Sequence, residues 1–322
     1  LYLAGNDLFT HKAAAGPDPA RRRYLTKVVD PKLAELHRAL AARRALDDRF
    51  VLVVSDHGHT RVVEDDRHAL GSNDEDGDRE APAVLRRAGF RVRPLEWKVP
   101  DDDDFQAVIT YGGAMAYVYL ADRSSCASEH ERCDFVRPPR FQEDVLAAAD
   151  AFYRASRDGA LVPDMKGSLD MVLARHGRPL AEDDEPFQVY VGDGHLEDVS
   201  TYLARHPHRS YVEVEARLRE LAAGRHGERA GDVLLITRDG GEKSPTRRFY
   251  FSPRYHSWHG SPSRRDSEVP VILAHPGLTR RQLRALADKA LGHGETARLH
   301  DVGRLLVDLR LSRVTPGLHS AR

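Results

Sequence analysis

Residues 50–54 read Phe-Val-Leu-Val-Val, and the run stops at Ser55-Asp56-His57-Gly58. Apolar side chains at every position, rather than at alternate ones, are the pattern of a strand covered on both faces. Before it lies a helical segment, with Asp30 as N-cap, Pro31 at the first helical position and Leu33, Leu36 and Leu40 on one face. With Leu1-Tyr2-Leu3 as an opening strand, the order is strand, helix, strand. Such a βαβ unit calls for parallel pairing. The expected fold class is therefore α/β, a mostly parallel sheet with helices on both faces. In such sheets the chemistry sits where strands open into glycine-containing turns.

The pattern repeats along the chain. A helix at 81–88 stops at Gly89, strands are expected at 107–110, 115–120, 169–174 and 187–191, and a helix near 212–222 precedes the apolar strand in "GDVLLITRDGG". The last quarter gives a strand in "VPVILAHPG", a helix opened by Thr279 and an amphipathic helix through Val302, Leu305, Leu306 and Leu309. No internal repeat or low-complexity linker divides the 322 residues, which favours one mixed α/β domain, 1–322, with insertions. The formal net charge of −1 provides no global field for a nucleic acid or an anionic membrane. No apolar stretch reaches the roughly 18 to 20 residues that cross a bilayer.

Two acidic stretches, residues 64–80 and the run Asp101-Asp102-Asp103-Asp104, read as solvated loops. A calcium site in the first is conceivable, but the EF-hand spacing is absent. Cys126 and Cys133 either close a small loop or remain free thiols, since spacing fixes neither geometry nor compartment.

Three stretches place metal-type ligands beside strand ends. In "GNDLFTH", Asp7 and His11 are four residues apart, and share one face if the segment after Gly5 is helical. The second is Asp56-His57-Gly58, followed by His59; the third is "YHSWHGSPSRRDSEVP", with His256 and His259. Taken singly, each has a plain structural explanation: a cap, a surface imidazole, a turn. Their joint order is harder to dismiss.

"GNDLFTH", "VVSDHGHT" and "WHGSPSRRDSEVPVIL", in that order, resemble the alkaline phosphatase superfamily and, within it, the type I phosphodiesterase and nucleotide pyrophosphatase branch. The resemblance spans most of the chain, apart from a variable insertion at about 121–230. It implies a metal-dependent hydrolase of phosphoric esters (phosphodiester, pyrophosphate or phosphomonoester) with two divalent cations, Zn²⁺ or else Mn²⁺, at a sheet edge. Asp7, His11 and His259 would hold one metal, and Asp56 with His57 the other. His256 is the rival to His259, and His59 a candidate for outer contact or substrate. Mixed carboxylate and imidazole ligands suit open catalytic zinc sites. Family members use a metal-activated Ser or Thr as nucleophile.

That nucleophile, and a further Asp for the second metal, lie in the family on segments before the Asp-x-x-x-His motif, where this chain has six residues. The expectation is an N-terminally truncated domain, inactive or nearly so by itself. The other readings are a catalytically incomplete metal-binding domain, a phosphoryl mutase or a sulfatase relative. Neither cysteine fits the Cys-x-Pro-x-Arg stretch of sulfatases. The expected partner is a small phosphorylated substrate, and the resemblance favours an extracytoplasmic or periplasmic location. "YGGAMAYVYL" and the stretch at 175–198 are expected at the pocket wall or rim. Arg264 and Arg265 are read as a solvated pair that could meet an anionic leaving group.

Overall fold

The computed structural model describes residues 2–47, 49–71, 78–94, 104–128, 131–176, 185–223, 227–241, 243–292 and 297–311. Leu1, residues 72–77 in the middle of the first acidic stretch, Asp101, Asp102 and Asp103, and residues 177–184 lie outside them. In chain order the elements are α1 Gly5–Lys12, α2 Pro17–Tyr24, α3 Asp30–Ala42, β1 Val51–Val54, β2 Thr60–Arg61, α4 Ala81–Arg87, β3 Ala107–Tyr111, β4 Met115–Leu120, α5 Ala147–Asp158 and β5 Leu169–Arg175. They continue with β6 Phe187–Gly192, β7 His195–Glu197, α6 Val199–Arg205, α7 Val214–Ala222, β8 Val233–Thr237, β9 Ser257–Trp258, α8 Arg264–Ser267, β10 Val271–Ala274, α9 Arg280–Leu291 and α10 Leu299–Leu311. The chain forms two units: Thr10–Pro17 with His59–Ser267, and Leu1–Phe9 with Asp18–Gly58 and Glu268–Arg322.

The first unit is built on a six-stranded sheet in the order β3-β4-β8-β5-β6-β7. Strand β8 is buried at every position, and its side chains alternate between two cores. Val233 and Leu235 join α4 and α5 on one face, while Leu234 and Ile236 join α6 and α7 on the other. Helices thus cover both faces, as expected for an unbroken apolar strand. The pairing is not as expected. Every ladder in the sheet is antiparallel, so the mostly parallel arrangement is corrected. The reason is local: β3 and β4 are joined by a tight turn at Gly112-Gly113, with Gly112 N–H donating to the Met115 carbonyl (2.8 Å), and such a turn can only connect antiparallel neighbours. The segment 121–230 supplies β5, β6 and β7 to this sheet. Cys126 and Cys133 form a disulfide packed against Ala121.

In the second unit β1 pairs with β10, again antiparallel, Val51 opposite Ala274 and Val54 opposite Val271. The apolar run read as doubly covered is open here: Val51, Val53 and Val54 are 38–42% exposed and Ile272 56%. Tyr2 and Leu3 form no strand, because the chain turns at once into α1, Asn6 N–H meeting the Leu3 carbonyl. Asp30 is not an N-cap either. A π-helical turn, Leu25–Val29, joins α2 to α3, and Asp30 has helical dihedrals with its N–H donating to Leu25 O. Pro31 removes a donor, and the wider turn just before it lets the helix continue. The Thr279 cap holds as read, in a full capping box with Gln282. Helices α9 and α10 pack on each other. No described helix is long and apolar enough to cross a membrane.

Candidate metal centre

Strands β2 and β9 form a two-residue antiparallel ladder, Thr60 opposite Trp258 and Arg61 opposite Ser257. Carried one step further, that register sets His59 opposite His259. The third imidazole comes from α1, whose end is tied to β9 by His256 N–H donating to the His11 carbonyl (2.9 Å). His11 lies 4.6 Å from His59 and 5.3 Å from His259, and His59 5.1 Å from His259, between ring centroids. Asp7 stands one turn before His11 on the same helix. One ligand atom from each of Asp7, His11, His59 and His259 falls within 4.8 Å of the others, a grouping that could hold a metal ion.

Ser257, fully buried, sets the state of two of these rings. Its carbonyl lies 2.7 Å from His11 Nδ1, and since a carbonyl only accepts, Nδ1 carries the proton and Nε2 is unprotonated in the neutral ring. Its hydroxyl donates to the Thr10 carbonyl (2.9 Å) and so accepts from His59 Nδ1 (3.3 Å), which again makes Nε2 the unprotonated nitrogen of the neutral ring. Orientation of a ligating imidazole through its other nitrogen is the usual outer support of a metal site. The donor set therefore fits a divalent cation: three imidazoles, two of them oriented by Ser257, and one carboxylate.

A buried ion pair clamps the ladder from behind. The Asp266 carboxylate accepts from Thr60 Oγ1 (2.7 Å), from Ser261 N–H (2.9 Å) and Oγ (2.8 Å), and from both terminal nitrogens of Arg248. Arg248, fully buried, also donates to the Trp258 carbonyl (3.3 Å). One carboxylate thus ties the residue after His59 to the loop after His259. Burial pushes the Asp266 carboxyl up, but the charge and bonds of Arg248, with those of Thr60 and Ser261, outweigh it and hold it below the usual carboxylate range. On the outer side, Trp258 stacks between Tyr255 (5.1 Å) and His259 (5.3 Å) and lies 4.2 Å from His11, an aromatic cover over the imidazoles.

Of the residues the sequence singled out, Asp7, His11 and His259 come together, and His59, expected as an outer or substrate contact, falls in the same group. His256 faces Glu64 instead (3.3 Å). Asp56 and His57 are outside the four-residue group and close on each other: Asp56 Oδ1 accepts from His57 N–H (3.0 Å), and His57 Nε2 lies 3.5 Å from Asp56 Oδ2 and 4.0 Å from Asp7 Oδ1. Arg264 and Arg265 open α8 with exposed side chains. Ser257, Arg248 and Asp266 were not anticipated, because a serine between two histidines and a carboxylate in an Arg-rich stretch carry no mark of burial. Comparison with protein-family models, curated proteins and solved structures finds no match.

Proposed function

We propose that this chain is the metal-binding part of a phosphoric ester hydrolase of the alkaline phosphatase type, in the phosphodiesterase and nucleotide pyrophosphatase branch that its motifs resemble. The observation that carries the reading is the convergence of Asp7, His11, His59 and His259, with two of the imidazoles oriented by Ser257. Nitrogen-rich ligation with one carboxylate favours Zn²⁺, with Mn²⁺ as the alternative. Asp56 and His57 are the ligands proposed for a second cation, and Asp7 is close enough to His57 to bear on both. A bound metal pair supplies charge neutralisation to a phosphoryl group and its attacking and leaving oxygens. The chain's own residues hold the cations, orient the imidazoles and shield them with the Tyr255-Trp258 stack.

Neither hydroxyl next to the ligands is proposed as nucleophile. Ser55 Oγ donates to the His57 carbonyl within its own turn, and Thr10 is fully buried. The reading assigns no nucleophile among the described residues. A second reading, a metal-binding domain without turnover, is favoured by one observation: His59 brings the set to four protein ligands, the number that closes a structural zinc site.

Hydrolysis of a chromogenic phosphate diester and monoester with added Zn²⁺ tests both readings, on this chain and on a version extended by its upstream coding sequence. The expected result is zinc binding by both and turnover by the extended chain, abolished by Asp7→Ala. Zinc binding without turnover in either carries the second reading. Failure of either chain to bind zinc overturns both.

A further inference from the structure

The six-stranded sheet is split at one end. The β5–β6 ladder runs only from Arg175 opposite Phe187 to Leu173 opposite Val189. Beyond it, β5 keeps β8 as its partner and β6 keeps β7, and each gains an extra residue on the way. Leu169 and Met171 face consecutive residues of β8, so Asp170 is a bulge; Tyr190 and Gly192 face consecutive residues of β7, so Val191 is another. Bulges bend a strand and re-aim its side chains, and two of them beside one gap are a built feature rather than a frayed edge. Between the parted strands, α5 and α6 lies a cavity of about 830 Å³. Small-molecule sites span this size range.

Its charge is one-sided. Arg157, Lys166, Arg205, Arg238, His206 and His208 line it, against the single carboxylate of Asp170. That carboxylate is already engaged: Tyr211 Oη donates to it (2.7 Å) and His208 Nε2 lies 3.1 Å away. Its hydrogen bond raises the His208 pKa and keeps the ring charged to higher pH. Arg157 and Arg205 are paired, to Asp158 and Glu197. Lys166 and Arg238 are not: their side-chain nitrogens have no hydrogen-bond or ion-pair partner among the described residues. Gly167 lies between them in the fold, where a Cβ would sit 3.6 Å from Arg238 Nη1. Tyr202, whose ring lies 4.6 Å from that of His206 at a tilt of 36°, and Tyr153 supply aromatic walls.

We propose that this cleft is a second binding site, independent of the metal centre, for a small organic molecule carrying a compact oxyanion of charge −2 or more, held by Arg238 and Lys166 with its body against Tyr202 and Tyr153. Charge-assisted bonds from an arginine fork and a lysine are the strong recognition elements for phosphate and carboxylate groups. The cleft and the metal centre share no residue.

The test is isothermal titration of the full chain with inorganic pyrophosphate and with citrate, at low salt and with EDTA present. The expected result is saturable binding of at least one probe, weakened about tenfold or more by Arg238→Ala and by Lys166→Ala, and unchanged by Arg264→Ala/Arg265→Ala or by His259→Ala. Pyrophosphate alone assigns a phosphorylated ligand, citrate alone a polycarboxylate, and both together recognition of charge; each supports the site. No saturable binding, unaltered binding in the Arg238 and Lys166 variants, or equal loss in the Arg264/Arg265 control would overturn it. Loss of the anion with His259→Ala would move it to the metal centre and overturn independence, while leaving the metal reading untouched.

Discussion

Ser257 and Asp266 do more for the candidate site than their place in the sequence suggests. Ser257 fixes both His11 and His59, so Ser257→Ala, which keeps the carbonyl but removes the hydroxyl, should release only His59. Loss of such outer support costs roughly 10- to 100-fold in metal affinity. Competition with a chromophoric chelator should find that drop with the thermal transition little changed; unaltered affinity would mean the hydroxyl does not orient the ring. Asp266 is a different case, because its partner Arg248 is wholly buried. Asp266→Asn leaves that charge uncompensated, and breaking a buried pair costs about 3–5 kcal/mol, to be read from urea unfolding midpoints. The same carboxyl is held below its ordinary value near 4, so it adds stability above that pH which is lost as pH falls through the lower folded value. Wild-type stability should therefore decline on acidification, and the Asn variant should lack that part of the decline.

Among the elements, a two-residue ladder does the aligning. The β2–β9 register that sets His59 opposite His259 is held by a close backbone crossing between the Gly112-Gly113 turn and the turn at Gly260. Gly260 has φ +96°, and a Cβ there would lie 2.2 Å from the Gly112 carbonyl oxygen; at Gly113, φ +82°, an added Cβ would lie 2.3 Å from the His259 carbonyl oxygen. Both strain and backbone contact stand against any side chain. Gly260→Ala should lower the melting temperature and weaken metal binding together, whereas Gly89→Ala, at positive φ but in open space, should cost stability alone. Equal metal affinity in the two variants would show that the crossing does not position His259. Much of this level was legible beforehand. β4 falls at 115–120 as read, and β3, β5, β6, α4 and α7 lie within about two residues of expectation, because long apolar runs, Gly stops and turns are local signals. Asp30 misled because an Asp-Pro pair marks a helix start only if the chain is not already helical, and that depends on the π-turn before it.

At the scale of the molecule, a fully apolar strand says that both faces want cover, but not the direction of its neighbours. β8 meets the burial pattern within an antiparallel sheet, and β1 leaves it unmet, so periodicity alone could not distinguish them. The motif order pointed to Asp7, His11 and His259; it could not place His59 with them, since His57 and His59, on either side of Gly58, offer the same ligand type within one stretch. Four side chains from three distant stretches come together in one group, proposed here to hold a single cation. A bound metal adds stability by mass action, about 2.7 kcal/mol at a hundredfold excess over its dissociation constant, so zinc should raise the melting temperature and EDTA reverse it. The most direct measurement is elemental zinc content of the loaded and desalted chain beside its single histidine variants, each checked for folding by circular dichroism. Stoichiometric zinc is expected in the wild type, with its loss in His11→Ala, His59→Ala and His259→Ala and its retention in His256→Ala; zinc kept by His59→Ala and stripped by His256→Ala would contradict the proposed ligand set.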